Sequence, residues 1–501
     1  HTSCRRDWSS DVCSSDLDVI RVEDTYYMVS TTMHFMPGCE ILQSFDLVHW
    51  EHVTYVYETL DHTDAQQLKS GQNIYGQGMW AASLRYHEGR FYICFVANDT
   101  RKTYLYTSEK IDGPWKKQLI EGFYHDGSLL FDEDGRNYIV YGNDEIWITE
   151  LNEDLTAPKK DGLHRLLVSD HKNPELGYEG SHIQKINGYY YIFLVHSLRD
   201  RWMRTEACFY SDSLEGEFTG GDVLCDDRGY CGQGVAQGGI VDTPDGKWYA
   251  MLFQDSGAVG RIPILLPVTW KDHFPFFGQN GHVPEEIEVH STRPGYIYQP
   301  LVGSDDFCNG LLPRWQFNHD PDPRYYHLDA LQGTYTITTR EVCTELTQAV
   351  NTLTQRMSYP SCAAEVTVDA SALKEGDVAG LCALQSCYAA VGITKHHGKY
   401  EVLMLDKKED GILDMTEGTV VESHQMDFRL EADFCNMKDE ARCYYRVNKG
   451  DWLPIGTVHK LYFKLDHFTG CRFGLFCYAA EETGGSACFR DFKYYDVDEI
   501  S

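Results

Sequence analysis

Three carboxylates, Asp16, Asp126 and Glu179, occupy matching places in a repeated pattern, and carboxyl groups in such a set are suited to moving protons. A glycosidic bond breaks when one carboxyl group protonates the leaving oxygen while another activates water on the opposite face of the sugar. A third carboxylate nearby raises the acid's pKa by like-charge repulsion. Acids at strand starts also cap turns, and that explains any single Asp of this kind. Three acids at equivalent repeat positions are harder to explain that way.

The equivalence rests on five turns of the form Gly/Asp-x-x-Tyr. They are Asp24-Thr25-Tyr26-Tyr27, Gly89-Arg90-Phe91-Tyr92, Gly135-Arg136-Asn137-Tyr138, Gly188-Tyr189-Tyr190-Tyr191 and Gly246-Lys247-Trp248-Tyr249. Their last tyrosines stand 65, 46, 53 and 58 residues apart, each followed by an apolar run. Twelve residues before the last four lie Trp80, Asp126, Glu179 and Gln237, and eleven before the first lies Asp16. Units of this size that bury their sheets against neighbours make a radial array, so these five residues are expected to meet at one axis. Nothing in the pattern looks like a capping repeat, which favours a closed ring over a solenoid.

The elements that must hold those residues are strands. From residue 18 to 298, aromatic and β-branched runs at 26–32, 91–97, 138–142, 189–196 and 248–254 alternate with Gly, Asp and Asn turns, and helical periodicity is scarce. This predicts a five-bladed β-propeller. A Pro/Gly-bearing connector, Arg293-Pro294-Gly295 to Gly303, precedes a second pattern over 304–501. Its runs at 334–339, 363–368, 400–405, 428–434, 461–465 and 472–478 alternate without the tyrosine turn, as in a β-sandwich. The expected fold is all-β: a five-bladed propeller followed by a sandwich of jelly-roll, concanavalin-like type.

A net charge of −32 disfavours nucleic acid and anionic polymers as partners, while a neutral sugar fits it without strain. No run of eighteen apolar residues is present to span a membrane. Seventeen cysteines show no CxxC pair or metal-ligand spacing and read as small core residues. That usage slightly favours the cytoplasm. Residues 1–17 read as a non-native leader, because they resemble the translation of a sequencing adaptor and share no periodicity with the rest. On that reading the native start is lost, so nothing follows about export.

Several motifs together resemble glycoside hydrolase family 43, in its exo-acting arabinofuranosidase and xylosidase branch. Asp16-Leu17-Asp18-Val19-Ile20-Arg21-Val22 is similar to that family's Asp-Pro-Asp/Ser entry to the first blade, with Leu17 where the family has proline. Ser44-Phe45-Asp46-Leu47-Val48-His49-Trp50, Trp80-Ala81-Ala82, His125-Asp126-Gly127-Ser128-Leu129 and Tyr178-Glu179-Gly180-Ser181-His182 follow in the family's order. Gln237-Gly238-Gly239 and Gly260-Arg261-Ile262-Pro263 resemble its fifth blade. Asn351-Thr352-Leu353-Thr354-Gln355-Arg356 and Gly376-Asp377-Val378-Ala379-Gly380-Leu381 resemble the concanavalin-like domain that follows it. The Asn-Asp-Pro-Asn and Arg-Asp-Pro signatures of the retaining sucrose and fructan hydrolases are absent.

The resemblance implies an inverting exo-acting hydrolase that releases terminal or side-chain α-L-arabinofuranosyl units of hemicellulose, with no cofactor in the chemistry; β-D-xylosyl removal is the close alternative, and a catalytically silent carbohydrate-binding propeller is the other. Asp16 would be the general base and Glu179 the general acid, their carboxyl groups roughly 6.5–9.5 Å apart. Asp126 would tune the acid and orient the sugar. Arg261 would reach a sugar hydroxyl or the base, with an interblade ion pair as the alternative. Trp80 and Phe35 would wall the sugar, or be interblade core. Gln237 would bond a sugar or water, or backbone groups only. Many members place a metal-coordinating histidine in the central region, where this chain has Ala236-Gln237. Asp306 and Asp491 resemble acids that bind a structural calcium in related sandwich domains, and a solvated acidic surface is the alternative.

Overall fold

The computed structural model describes residues 15–496. The leader assignment therefore falls almost wholly outside the described residues, although Ser15, Asp16 and Leu17 lie inside them and are buried. Five four-stranded antiparallel sheets follow one another, each with its strands in chain order. Their innermost strands are Asp18–Val22, Met79–His87, Ser128–Phe131, Glu179–Ile186 and Ala236–Asp242. Each of these lies beside the next, and the first also lies beside the fifth, so the five blades close a propeller. Four 3-10 turns are the helical segments among the described residues.

The tyrosine turns work as hairpins for a local reason. Val22 pairs with Thr25, His87 with Arg90 and Ile186 with Tyr189, leaving two-residue loops. Glu88-Gly89 and Asn187-Gly188 both carry positive φ at both positions, which is the turn whose twist matches a right-twisted ribbon. The tyrosines then enter each second strand, and Tyr138, Tyr191 and Tyr249 are buried. Ring closure buries Leu17, Val19 and Met28 of blade one against Val241, Tyr249 and Met251 of blade five. At its rim Arg21 Nη2 lies 2.7 Å from Asp242 Oδ2.

The five blade entries share a backbone device that the spacing count missed by one residue in two blades. A residue with positive φ sits at Asp16 (48°), Ala81 (42°), Asp126 (49°), Gly180 (67°) and Gln237 (70°). In blades two, four and five it lies in a bulge where pairing skips, between Trp80 and Ser83, Glu179 and His182, and Ala236 and Gly239. Trp80 and Glu179 stand one residue ahead of the equivalent position, because the first hairpins of blades two and four close with two residues where that of blade five takes five. Gly180 is required there. Its φ is +67° and an added Cβ would lie 2.8 Å from Gln237 Cγ.

The second domain is two stacked sheets. One contains Gln316–Asn318, Leu353–Arg356, Arg472–Tyr478, Val378–Leu384, Ala389–His396 and Lys399–Lys407; the other contains Thr334–Thr338, Ser486–Asp496, Ser361–Asp369, Gln425–Asp433 and Glu440–Arg446. Their facing side chains, among them Val366, Phe428, Leu381 and Leu475, form one core. Cys39, Cys94, Cys208, Cys362 and Cys382 are buried free thiols, small core residues as expected.

Two sequence expectations change here. The run 461–465 is a loop instead of a strand, and it faces the propeller, with Phe463 6.0 Å from the Arg261 guanidinium. Phe35 is no sugar wall. The segment Phe35–Met36 leaves blade one and pairs with Gln316–Asn318 at the edge of a sandwich sheet. Phe35 is fully buried among Leu346, Tyr388 and Phe476, with the Arg472 guanidinium 3.6 Å from its ring centre. Burying such a ring contributes about 2–3 kcal/mol, so Phe35 helps weld the two domains.

Candidate active site

At the axis, the backbone of Asp16 is held by blade one itself, since the Thr31 N–H donates to Ser15 O at 2.9 Å. Its carboxylate Oδ1 accepts from Gln237 Nε2 at 2.5 Å and from Arg261 Nη1 at 3.0 Å. Thr31 Oγ1 donates to Oδ2 at 3.5 Å. The Leu17 carbonyl lies 3.0 Å from His182 Nε2 of blade four, so leucine in the family's proline place leaves this entry tied in. Arg261 also donates from Nε to Asp255 Oδ1 at 3.0 Å and lies between the rings of Phe253 and Phe468, 4.6 Å from each centre. Its contact with the Asp16 carboxylate is both the expected reach to that group and the alternative, an ion pair between blades five and one.

Asp126 and Glu179 meet on the other side of the axis. The Gly180 N–H donates to Asp126 Oδ2 at 2.9 Å. Asn143 Nδ2 donates to Glu179 Oε2 at 3.2 Å. Between the two acids stands His125, with Nε2 3.4 Å from Asp126 Oδ2 and 3.6 Å from Glu179 Oε2. The Asp126 charge lifts His125 to about 9, against the opposing effect of burial. Burial, with the charges of Glu179 and Asp16, lifts Asp126 to about 6 although His125 pulls it down.

Glu179 goes the other way. Burial pushes it up, but the hydrogen bond and charge of His125, with Arg204 and Arg261, win and hold its carboxyl below the ordinary value. The repulsion expected of Asp126 is outweighed, because a cation stands between the two carboxylates.

That arrangement has a consequence for stability. His125 has a folded pKa above its ordinary 6.5, so it stabilises fully below pH 6.5 and loses that contribution as pH rises through about 9. In chelator-containing buffer, the urea midpoint of the parent should exceed that of His125→Phe at pH 6, and the gap should close by pH 10. A gap independent of pH would mean that His125 is not charged in the fold.

The nitrogen of His125 and one oxygen each from Asp126 and Glu179 lie within 4.8 Å of one another, the group of that kind among the described residues. One imidazole and two carboxylates do not match calcium, which takes six to eight oxygens, and no metal is assigned. Asp306 and Asp491 lie outside such a group. Asp306 Oδ1 accepts from the Cys308 N–H, and both side chains are exposed. Two carboxylates alone fall short of the six to eight oxygens calcium takes, so calcium there stays an expectation of the resemblance.

Trp80 is half-buried at the entry of blade two, and Phe468 of the sandwich meets its ring edge-on at 5.1 Å. Phe468, His125, Arg204 and Asp255 were not foreseen. His125 had a local signal, adjacency to Asp126. Phe468 had none, because it comes from the other domain.

The model of the "Glycosyl hydrolases family 43" matches residues 11–275, and that of the "Beta xylosidase C-terminal Concanavalin A-like domain" matches residues 304–495. A β-xylosidase of Formosa agariphila is 26% identical over 96% of this chain and 87% of its own length. A non-reducing end α-L-arabinofuranosidase of Bacteroides ovatus is 23% identical over 80% of this chain and 78% of its own. Among solved structures, a bifunctional GH43-CE protein of Bacteroides eggerthii is 42% identical with a TM-score of 0.90. The match covers 96% of this chain and 62% of that one, so this chain corresponds to part of that protein.

Proposed function

Because the chain belongs to glycoside hydrolase family 43 and is a glycosidase acting on carbohydrate, we propose that it removes single terminal or side-chain α-L-arabinofuranosyl units from neutral hemicellulose oligosaccharides, with inversion. One observation carries the reading: an acid cluster on the propeller axis whose Asp16 is held by Arg261, with the Arg261 guanidinium over Phe468 of the sandwich and Trp80 edge-on to that ring. A site walled from a second domain suits one terminal sugar better than the middle of a chain. Sugar C–H faces pack on such aromatic rings, and the carboxylates and Arg261 meet the hydroxyls.

In this reading Asp16 is the base. Gln237 Nε2 and Arg261 Nη1 both donate to its Oδ1 and fix the carboxylate that must accept a proton from water. Glu179 is the acid. His125 Nε2, 3.6 Å away, is the group that supplies its proton, which passes to Glu179 Oε2 and then to the leaving oxygen as the bond breaks. Asp126 shares the charge of that imidazolium and is the group placed to meet a sugar hydroxyl. The expected acid–base spacing of roughly 6.5–9.5 Å, which leaves room for the attacking water, belongs to this reading.

Removal of β-D-xylosyl units is the second reading, favoured by the C-terminal model's description and by the Formosa agariphila relative. Side-by-side release from aryl α-L-arabinofuranoside and aryl β-D-xyloside separates the two, and the larger kcat/KM identifies the sugar. Proton NMR of the first product anomer is expected to show inversion. Retention would remove Asp16 from the role of base.

A further inference from the structure

The carboxylate proposed as base does not stand alone with Gln237 and Arg261; it belongs to a closed ring of five side chains. Asp16 Oδ1 accepts from Gln237 Nε2 at 2.5 Å, and Gln237 Oε1 accepts from Arg204 Nη1 at 3.2 Å. Arg204 Nε lies 3.2 Å from Asp255 Oδ2, while Asp255 Oδ1 accepts from Arg261 Nε at 3.0 Å. Arg261 Nη1 returns to Asp16 Oδ1 at 3.0 Å. The members come from blade one (Asp16), blade four (Arg204) and blade five (Gln237, Asp255, Arg261). All five are buried. Two arginines, two carboxylates and one amide leave the ring without net charge.

We infer that Arg204 is a positioning residue for the reaction: by gripping Gln237 Oε1 and Asp255 at once, it fixes the Gln237 amide so that Nε2 donates to Asp16. A buried amide has two orientations, and in the other one its oxygen would face the carboxylate and repel it. Arg204 removes that choice, because a guanidinium can only donate. The Gln237 backbone is locked as well, its N–H donating to Glu206 Oε2 at 2.7 Å. Asp255 is anchored by both arginines, and their charges hold its carboxyl below the ordinary range although burial opposes them. The ring therefore delivers two fixed donors to one oxygen of Asp16 and leaves Oδ2, among the described residues, with a 3.5 Å contact from Thr31. Oδ2 is the oxygen available to a water.

Buried ion pairs contribute little net stability, since desolvation offsets attraction. The value of this ring lies in geometry, where a displacement of about 1 Å in a catalytic group costs on the order of a hundredfold. A lysine at 204 would supply one compact charge instead of a fork and could not hold both partners.

This inference rests on Asp16 being the base, and the test separates the two. The pH profile of kcat is recorded for the parent, Arg204→Met, Arg204→Lys and Asp16→Asn on the faster aryl glycoside, with thermal melts to verify folding. Arg204→Met is expected to lose about 10- to 100-fold in kcat. Its acidic limb should move up, because an amide free to turn can set its oxygen against the Asp16 carboxylate. KM should change little, and Arg204→Lys should recover only part of the loss. If Arg204→Met does not fold, Gln237→Met interrupts the same contact and should shift the limb the same way. An unmoved acidic limb in a folded Arg204 or Gln237 variant, with Asp16→Asn inactive, overturns the positioning role alone. Full activity of Asp16→Asn overturns the base assignment itself.

Discussion

Glu179→Gln is expected to abolish release from oligosaccharides while sparing substrates whose leaving group needs no proton. The amide keeps the size of the acid and its place between Asn143 and His125, but has no proton to deliver. General acid catalysis contributes about 10²–10⁴-fold, so the loss on an arabinosyl or xylosyl oligosaccharide should fall in that range. A dinitrophenyl glycoside departs as a stable anion, and its hydrolysis should fall by less than about tenfold. The check is kcat/KM across leaving groups of graded basicity: the parent should show a shallow dependence and the variant a steep one. Equal losses on every leaving group would mean that Glu179 holds the sugar instead of protonating the oxygen. Retained oligosaccharide binding with no release by the parent would indicate a binding propeller.

Asp16→Asn should fail in the complementary way. Without a base, attack by water slows for every substrate, whatever its leaving group, again by about 10²–10⁴-fold. Asparagine would still meet Arg261 and Gln237 but with an uncharged oxygen. Added azide is a nucleophile that needs no deprotonation. It should restore turnover of the dinitrophenyl substrate and yield a glycosyl azide of inverted configuration, detectable by mass spectrometry and NMR. Rescue of Glu179→Gln but not of Asp16→Asn would exchange the two assignments. The pair of variants thus tests the direction of attack across the site as well as the identity of each group.

The determinants legible in the chain were the local ones. A two-residue turn such as Asn187-Gly188 declares itself because only residues tolerant of positive φ suit it, and it needs no distant partner. Five such units of similar length, each with apolar runs that need a neighbouring sheet, leave a ring as the economical closure. The acids were legible for the same reason, since Asp16 and Asp126 sit on the repeated left-handed entry.

What the chain could not declare depends on packing between remote segments. Glu179 stands one residue ahead of its counterparts because the first hairpin of blade four closes with two residues where that of blade five takes five, a difference that a fixed count of twelve cannot register. The low pKa of Glu179 reflects an imidazole from blade three and guanidinium groups from blades four and five, brought together only when the ring closes. Phe35 resembles a wall residue in sequence, yet the sandwich sheet claims its backbone and buries its ring. Phe468 reads as part of an ordinary sandwich loop until the two domains dock and set it on Trp80 and Arg261. Burial and charge are sums over neighbours in space. The sequence by itself determined the blades and the presence of the acids; the tertiary structure decided which acid is ionised, which residues hold it, and what walls the site.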